Sequence, residues 1–221
     1  MHKNILIIGY GDIGRRLKTN IKNANIYAVG RSPEEEGGIH KILWDWLSND
    51  ILRLNNITFD SIIIIPKPSD MTEEGYTDGF IKSLSNIKRS LQSISFKKII
   101  AISSTRVYGS NQLGLVDENS PLEPCDFRGR IIKKYESILN DKYFGKLTVL
   151  RFSGLYDDSS QRIGHNRLHR NNAAKIINFF INRDLNFKNN CIVNCSEDTE
   201  LDYSKKCVSN KKIKDIGFIF E

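Results

Sequence analysis

Three glycines near the N-terminus have the spacing that binds the phosphates of a dinucleotide. Gly9, Gly11 and Gly14 form a Gly-x-Gly-x-x-Gly pattern directly after the strand-like run Asn4–Ile8. The glycines allow a tight turn, close approach of backbone to a pyrophosphate and close helix packing, and the helix that follows presents free N–H groups. This order favours nucleotide binding over a tight turn without a ligand. The candidate cofactor-binding residues of the loop are Gly9, Gly11, Asp12, Ile13 and Gly14.

The end of the second predicted strand carries a basic residue where an NAD site usually has an acidic one. The strand Asn25–Val29 leads through Gly30 into Arg31 and Ser32. A guanidinium at this position can bind a ribose 2′-phosphate through two hydrogen bonds. We therefore predict NADP as the preferred cofactor, with Arg31 and Ser32 as ligands. The acidic run Glu34–Glu36 leaves NAD open, and the alternative is that Arg31 simply faces solvent.

Further cofactor contacts are predicted at the ends of the next two strands. A third strand over Ile39–Trp46 places Asp45 where a polar residue commonly lies near the adenine. The alternative is that its two flanking tryptophans pack at the edge of the core. The apolar run Ser61–Ile65 predicts a central parallel strand that is buried on both faces. Pro66 ends this strand, and we expect its loop to lie on the nicotinamide side.

Strands alternate with helices through the first half of the chain, and these elements must position the loop residues. Apolar residues at helical spacing, Phe80, Leu84, Ile87 and Leu91, predict a helix. A fifth strand follows at Ile99–Ile102. The alternation predicts an α/β fold with a doubly wound parallel sheet.

Later segments of the chain resemble one known family. The fifth strand runs into Ser103–Gly109, an acidic and proline-bounded loop covers Val116–Pro124, and further segments follow at Leu150–Tyr156, Asn166–His169 and Val208–Phe218. Together with the glycine loop, and in this order, they resemble the NAD-dependent epimerase/dehydratase family. That family is the extended and atypical branch of the short-chain dehydrogenase/reductases.

The resemblance implies a Rossmann-like cofactor domain and a small C-terminal lobe. We divide the chain into an NAD(P)-binding domain at residues 1–155 and a reduced substrate-binding lobe at residues 156–221, which could pack as one structural domain. The resemblance also implies a small-molecule substrate such as a nucleotide sugar, hydride transfer to the nicotinamide, and a homodimer formed through two long helices. It assigns Ser103 to the cofactor site and Ser104 to the hydroxyl that polarises a carbonyl.

The acid/base pair of this family is missing from the chain. Family members use a tyrosine and, four residues later on the same helix face, a lysine that lowers the tyrosine's pKa. Here Arg128 stands at the tyrosine position and Ile132 at the lysine position. An arginine stays charged and cannot donate a proton near neutral pH. The catalytic candidates are therefore Ser104, Arg128 at the tyrosine position and, as a weak substitute, Tyr135, whose alternative role is packing.

Two functions remain open on these residues. One is an atypical NAD(P)-dependent oxidoreductase or nucleotide-sugar-modifying enzyme with an unassigned acid/base. His165 and His169 could supply it, and the alternative is that both are structural or exposed to solvent. The other is a catalytically silent NADP-binding sensor or scaffold.

Charge, hydropathy and cysteine content bear on whether the protein binds nucleic acid, spans a membrane, is exported or holds a metal. The 221 residues have a net charge of +7, but the charge is scattered and no nucleic-acid motif is present, so a solvated basic surface is favoured over a nucleic-acid face. No apolar run is long enough to span a membrane. The first strand begins by residue 4, which leaves no room for a signal peptide, and the cysteines are expected to be reduced thiols in the cytoplasm. Cys191 and Cys195 lie about 13 Å apart on a predicted strand, too far for one zinc, and no metal is expected.

Overall fold

The structure is a computed structural model that describes residues 2–31, 37–54, 56–159, 164–183 and 190–220. The strands in these ranges are β1 (Lys3–Ile8), β2 (Ala24–Gly30), β3 (His40–Leu43), β4 (Thr58–Ile64), β5 (Ser95–Ser104), β6 (Gly114–Val116), β7 (Leu147–Phe152), β8 (Gly154–Tyr156), β9 (Arg167–His169), β10 (Cys191–Cys195) and β11 (Lys206–Val208). The helices are α1 (Asp12–Asn20), α2 (Glu73–Tyr76), α3 (Ser83–Ser90), α4 (Phe127–Lys142), α5 (Arg170–Asn182) and α6 (Lys211–Asp215). A π-helical segment, Thr77–Lys82, joins α2 to α3.

Within the described residues, seven strands form one parallel sheet in the order β10-β7-β5-β4-β1-β2-β3. Two parallel pairs lie outside it, β6 with β11 and β8 with β9. The chain winds outward from β1 through β2 and β3, and then returns to the other side of β1 with β4. Beyond the carboxyl ends of β1 and β4 the connections therefore diverge, which opens the crevice where parallel α/β sheets bind ligands.

Helices cover both faces of the central sheet. Ile5 and Ile7 of β1 pack into one apolar cluster with α1, α5 and α6, whereas Leu6 and Ile8 pack into a second cluster with α3 and α4. Successive strand residues point to opposite faces, so a central strand with helices on both sides is apolar throughout. This arrangement confirms the predicted α/β class and doubly wound parallel sheet.

The predicted strands are present, and one of them ends earlier than expected. The third strand was predicted over Ile39–Trp46, but β3 ends at Leu43. Asp45 causes the difference, because its carboxylate accepts a hydrogen bond from the Leu47 N–H at 2.9 Å and its carbonyl accepts one from the Ser48 N–H at 3.0 Å. Such an Asx turn competes with strand pairing.

The segment after residue 155 contributes to the same sheet as the segment before it. β10 is an edge strand of the central sheet beside β7, and α5 packs in the same apolar cluster as α1. The two small strand pairs lie at the end of this frame. The division into a cofactor domain and a substrate lobe at residue 155 stays a prediction about function, since both segments build the central layers.

The described helices include none with the length and apolar character needed to cross a membrane.

Candidate functional site

A cleft of about 290 Å³, here called the first cleft, lies at the carboxyl ends of β1, β2 and β4. The glycine loop forms its floor, the end of β2 forms one wall, and the segment after β4 forms another. Its lining residues include Gly9, Gly11, Gly30, Arg31, Trp46 and Lys67. The cleft therefore occupies the crevice at the point where the strand order reverses.

The three glycines of the loop meet different steric demands. Gly9 has a φ of +93°, and a Cβ there would lie 2.2 Å from the Ile65 carbonyl oxygen. A Cβ on Gly14 would lie 2.9 Å from the Tyr10 ring, so the third glycine lets this ring, rather than the strand, pack against the helix. A Cβ on Gly11 would meet no atom within 4 Å. Gly11 thus leaves open space on the cleft floor, which fits the approach of a pyrophosphate.

The start of α1 supplies N–H groups to the same floor. Gly11 is the N-cap and offers no side-chain cap, and the Arg15 N–H makes the first helical hydrogen bond to Gly11 at 2.9 Å. The earlier amides of a helix have no intrahelical partner and favour anions. Asp12 and Ile13 contribute through this backbone only, because the Asp12 carboxylate binds Arg16 and Arg170 and the Ile13 side chain is buried.

Basic side chains surround the opening of the first cleft. Arg31 is exposed at the end of β2, and Lys67 lines the opposite wall. The Lys41 ammonium lies 5.2 Å from the centre of the Tyr10 ring and would lie 3.9 Å from a Cβ added at Gly30. The predicted ligand Ser32 lies outside the described residues.

The predicted contacts after β3 and β4 are displaced by one or two residues from those named in the sequence. Asp45 lies in a neighbouring groove that shares Arg31 with the first cleft, while the residues on either side of it, Trp44 and Trp46, line the cleft itself. The Trp46 ring would lie 3.1 Å from a Cβ added at Gly9. Pro66 does not line the cleft, whereas Lys67 and the two residues after it do.

A second cleft of about 260 Å³ lies at the carboxyl ends of β5 and β7. Since β4 and β5 are neighbours in a parallel sheet, both clefts open on the same edge. Ser104 is half-buried in this second cleft, and its hydroxyl accepts a hydrogen bond from the Arg106 N–H at 3.2 Å. Its other lining residues are Thr105, Arg106, Gly109, Ser110, Cys125, Asp126, Gly154, Asn166 and Lys206. Ser104 is thus located where a hydroxyl can contact a ligand.

Ser103 lines neither cleft, and its assignment to the cofactor site stays a prediction. Successive strand residues point to opposite faces, so Ser103 turns into the core while Ser104 turns to the cleft. The Ser103 hydroxyl donates to the buried Glu136 carboxylate at 2.5 Å. That carboxylate also pairs with Arg151 at 2.7 Å, and Arg151 donates to the Tyr108 hydroxyl at 2.7 Å. This buried network fixes α4 on the sheet.

Neither of the helix candidates for acid/base chemistry enters a cleft. The Arg128 guanidinium lies over the Tyr76 ring at 5.7 Å and over the Phe127 ring at 5.6 Å. Tyr135 is only 1% exposed and packs edge-on against Phe80 at 5.4 Å, and burial raises its pKa above the usual value. The assignment of Tyr135 as a substitute acid/base is therefore corrected to a packing role. Ile132, at the lysine position, is buried as well.

The two histidines have different surroundings. His169 caps α5, since its Nδ1 accepts a hydrogen bond from the Asn171 N–H at 3.2 Å. His165 is half-buried and lines neither of the two clefts. The sequence analysis did not identify Cys125 and Lys206, which do line the second cleft. Neither residue follows a predicted strand end, and the β6–β11 pairing that brings Lys206 to the cleft is not visible in local sequence.

Comparisons with known proteins agree with this architecture. No family model matches the chain. Protein YeeZ of Escherichia coli K12 is 24% identical over 164 residues, which cover 69% of this chain and 59% of YeeZ, so the chain spans less than two thirds of that relative. MoeE5, in complex with UDP-glucuronic acid and NAD, superposes with a TM-score of 0.78 at 15% identity and covers 99% of this chain and 94% of MoeE5.

A human epimerase family protein, SDR39U1 with NADPH, superposes with a TM-score of 0.73 at 13% identity, covering 99% of this chain and 95% of that one. At such identities the likeness establishes the fold. It confirms the Rossmann-like fold that the resemblance to NAD-dependent epimerase/dehydratases implied. The chain therefore has the Rossmann-like fold of the epimerase/dehydratase proteins.

Proposed function

We propose that the first cleft binds a nicotinamide dinucleotide, with its pyrophosphate on the glycine loop and the start of α1. The observation that carries this proposal is the open space over Gly11 beside the uncapped first turn of a helix. The first cleft also lies at the switch point of a parallel sheet, where α/β proteins bind ligands, and this location supports the proposal. Proteins of the same fold contain NAD, as in MoeE5, or NADPH, as in SDR39U1.

NADP is the preferred cofactor in this proposal. Arg31 is exposed, lies at the end of β2 and lines the cleft, so its guanidinium can pair with a 2′-phosphate. No carboxylate occurs among the described residues that line the first cleft. Lys41 and Lys67 add positive charge on either side. Ser32 would extend this contact from outside the described residues.

The second cleft would hold the substrate of an atypical oxidoreductase or nucleotide-sugar-modifying enzyme. A nicotinamide cofactor, when bound, gives or accepts a hydride. Ser104 is placed to donate a hydrogen bond to a substrate carbonyl or hydroxyl at this edge of the sheet. MoeE5, which has the same fold, is in complex with UDP-glucuronic acid, and this supports a nucleotide sugar as substrate.

A second candidate function is a catalytically silent NADP sensor or scaffold. The observation that favours it is the placement of the α4 residues, since Arg128 stacks on aromatic rings and Ile132 and Tyr135 are buried. Such a protein needs the first cleft only. It would bind NADP and turn over no carbonyl or nucleotide-sugar substrate.

Calorimetric titration with NADP and, separately, NAD tests the binding proposal. The Arg31→Ala variant should bind NADP with an affinity close to that for NAD, while Arg130→Ala, which removes an exposed arginine outside both clefts, should leave NADP binding unchanged. Binding of neither cofactor by the wild-type protein would refute the proposal. A screen of UDP-sugars with absorbance of the reduced nicotinamide then separates the enzyme from the sensor. Sedimentation of the same sample tests the expected homodimer.

A further inference from the structure

The second cleft contains a positive charge that no carboxylate neutralises. Lys206 is half-buried in its wall, and its ammonium donates to the Gly109 carbonyl and, at 3.5 Å, to the Thr105 carbonyl. Among the described residues it makes no ion pair. Its neighbour Arg106 is already committed to Asp126 at 2.7 Å, and Asp126 also caps α4 by accepting from the Gly129 N–H. The lining of the cleft therefore carries one uncompensated cation.

The backbone of Lys206 is held in place by strand pairing and by the Asn166 side chain. Lys206 begins β11, which pairs with β6. The Asn166 side chain donates to the Lys206 carbonyl at 2.7 Å and accepts from the Val208 N–H at 2.7 Å. Because two of the three ammonium protons are used by carbonyls, one donor remains. Burial and repulsion from Arg106 lower the pKa of Lys206, and they outweigh the attraction of Cys125 and Asp126, with which Lys206 makes no ion pair.

The opposite side of the Gly109–Ser110 backbone carries a thiol. Cys125 is exposed, and its sulfur accepts hydrogen bonds from the Ser110 N–H at 3.3 Å and from the Ser110 hydroxyl at 3.6 Å. These hydrogen bonds lower the pKa of the Cys125 thiol. The other three cysteines are buried. Cys125 is thus an accessible and selective reporter inside the same cleft as Lys206.

We propose that the second cleft is an anion pocket in which Lys206 binds a carboxylate or phosphate group of the substrate. Ser104, whose hydroxyl accepts from the Arg106 N–H and keeps its own proton, adds a hydroxyl donor at the same cleft. A half-buried ammonium costs desolvation free energy unless an anion approaches it, and a ligand anion would restore that balance. The claim that the bound anion belongs to the substrate rests on the proposed function. The claim that the second cleft binds an anion does not depend on a bound cofactor.

Two alkylating reagents of nearly equal size test this directly. Iodoacetate carries a carboxylate and iodoacetamide does not, and the rate of each at Cys125 can be followed by mass spectrometry. Loss of Lys206 changes the thiolate fraction equally for both reagents, so the ratio of the two rates isolates anion recognition. Lys206→Met should lower the iodoacetate-to-iodoacetamide ratio about tenfold, the factor of one charge-assisted hydrogen bond. Lys206→Arg should retain most of the ratio.

The matched control is Lys205→Met, since Lys205 is the exposed neighbour and pairs with Asp202 at 3.1 Å. This variant should behave as wild type. Absence of label on Cys191, Cys195 and Cys207 shows that a variant is folded. An unchanged ratio in folded Lys206→Met would overturn the proposal.

A competition experiment on the wild-type protein needs no variant. Phosphate or acetate, at ionic strength matched with chloride, should slow iodoacetate alkylation of Cys125. Protection by phosphate alone assigns the pocket to phosphate groups, and protection by acetate alone assigns it to carboxylates. Protection by neither overturns the proposal. Because no nicotinamide cofactor is present, failure here leaves the proposal for the first cleft standing.

Discussion

Gly11→Ala should separate cofactor binding from folding. The backbone φ at Gly11 is −114°, which lies outside the left-handed region that favours glycine, and the added Cβ meets no atom within 4 Å. At an N-cap alanine is less favourable than glycine by roughly 1 kcal/mol, and the lower entropy of the unfolded chain offsets part of this cost, so we expect the free energy of unfolding to change by less than about 1 kcal/mol. The methyl group would instead occupy the floor of the first cleft. If it displaces the pyrophosphate from one amide, the loss of a charge-assisted hydrogen bond of about 1.5–3 kcal/mol weakens NADP binding roughly ten- to hundredfold.

The assay for Gly11→Ala is calorimetric titration with NADP beside urea unfolding of the same sample. Gly164→Ala is the control, because a Cβ there also meets no atom within 4 Å but lies outside both clefts. Gly9→Ala is the contrasting variant, since its Cβ would lie 2.2 Å from the Ile65 carbonyl oxygen at a φ of +93°, and it should lose stability. A folded Gly11→Ala protein that binds NADP with wild-type affinity would refute the role given to this glycine.

Three further predictions concern buried polar groups. Glu136→Gln leaves the Arg151 guanidinium, which is 2% exposed, without its anion, and urea unfolding should show a loss of about 3–5 kcal/mol; a loss under about 1 kcal/mol contradicts the pairing. Tyr135→Phe removes a buried hydroxyl that has no partner among the described residues, so stability should hold within about 1 kcal/mol and NADP titration should be unchanged. A large loss of stability would contradict the absence of a hydrogen bond, and a large loss of NADP affinity would return Tyr135 to the site. Burial raises the pKa of Tyr143 to about 12, whereas an unfolded tyrosine titrates near pH 10, so this contribution to stability is present below about pH 10 and is lost as the pH rises toward 12. Tyr143→Phe should show a smaller alkaline loss in urea unfolding measured on either side of pH 10, and an equal loss would refute the assignment.

The sequence predicted those parts of the fold that depend on local patterns. The apolar runs of β1 and β4 indicate buried central strands, and the glycine spacing indicates the turn that joins β1 to α1. Where a local side-chain hydrogen bond competes with strand pairing, the prediction failed. Asp45 ends β3 by an Asx turn, although the tryptophans on either side of it favour a strand.

The sequence predicted only those site residues whose position follows from the end of a single strand. Ser104 could be placed from its position at the end of β5, and the alternation of side chains along a strand could have shown that Ser103 points away from the cleft. Arg151 is a charged residue in an apolar strand, which predicts a buried partner of opposite charge but does not identify it. The partner is Glu136, and only the packing of α4 against the sheet brings it to Arg151. Lys206 reaches the second cleft from β11, which pairs with β6, and no local pattern encodes that pairing. Cys125 reaches the same cleft through its contact with Ser110, which lies 15 residues earlier in the chain.

The choice between enzyme and sensor turns on the second cleft rather than on the missing tyrosine. A sensor needs only the first cleft, and nothing in that role maintains a half-buried ammonium beside Ser104. Lys206 loses water contacts without gaining a carboxylate among the described residues, and such a desolvation cost is balanced when a ligand anion binds. Binding of NADP together with anion recognition at Cys125 would favour a protein that acts on an acidic small molecule. Binding of NADP without anion recognition would favour the sensor, because the cleft next to the cofactor would then have no ligand to select.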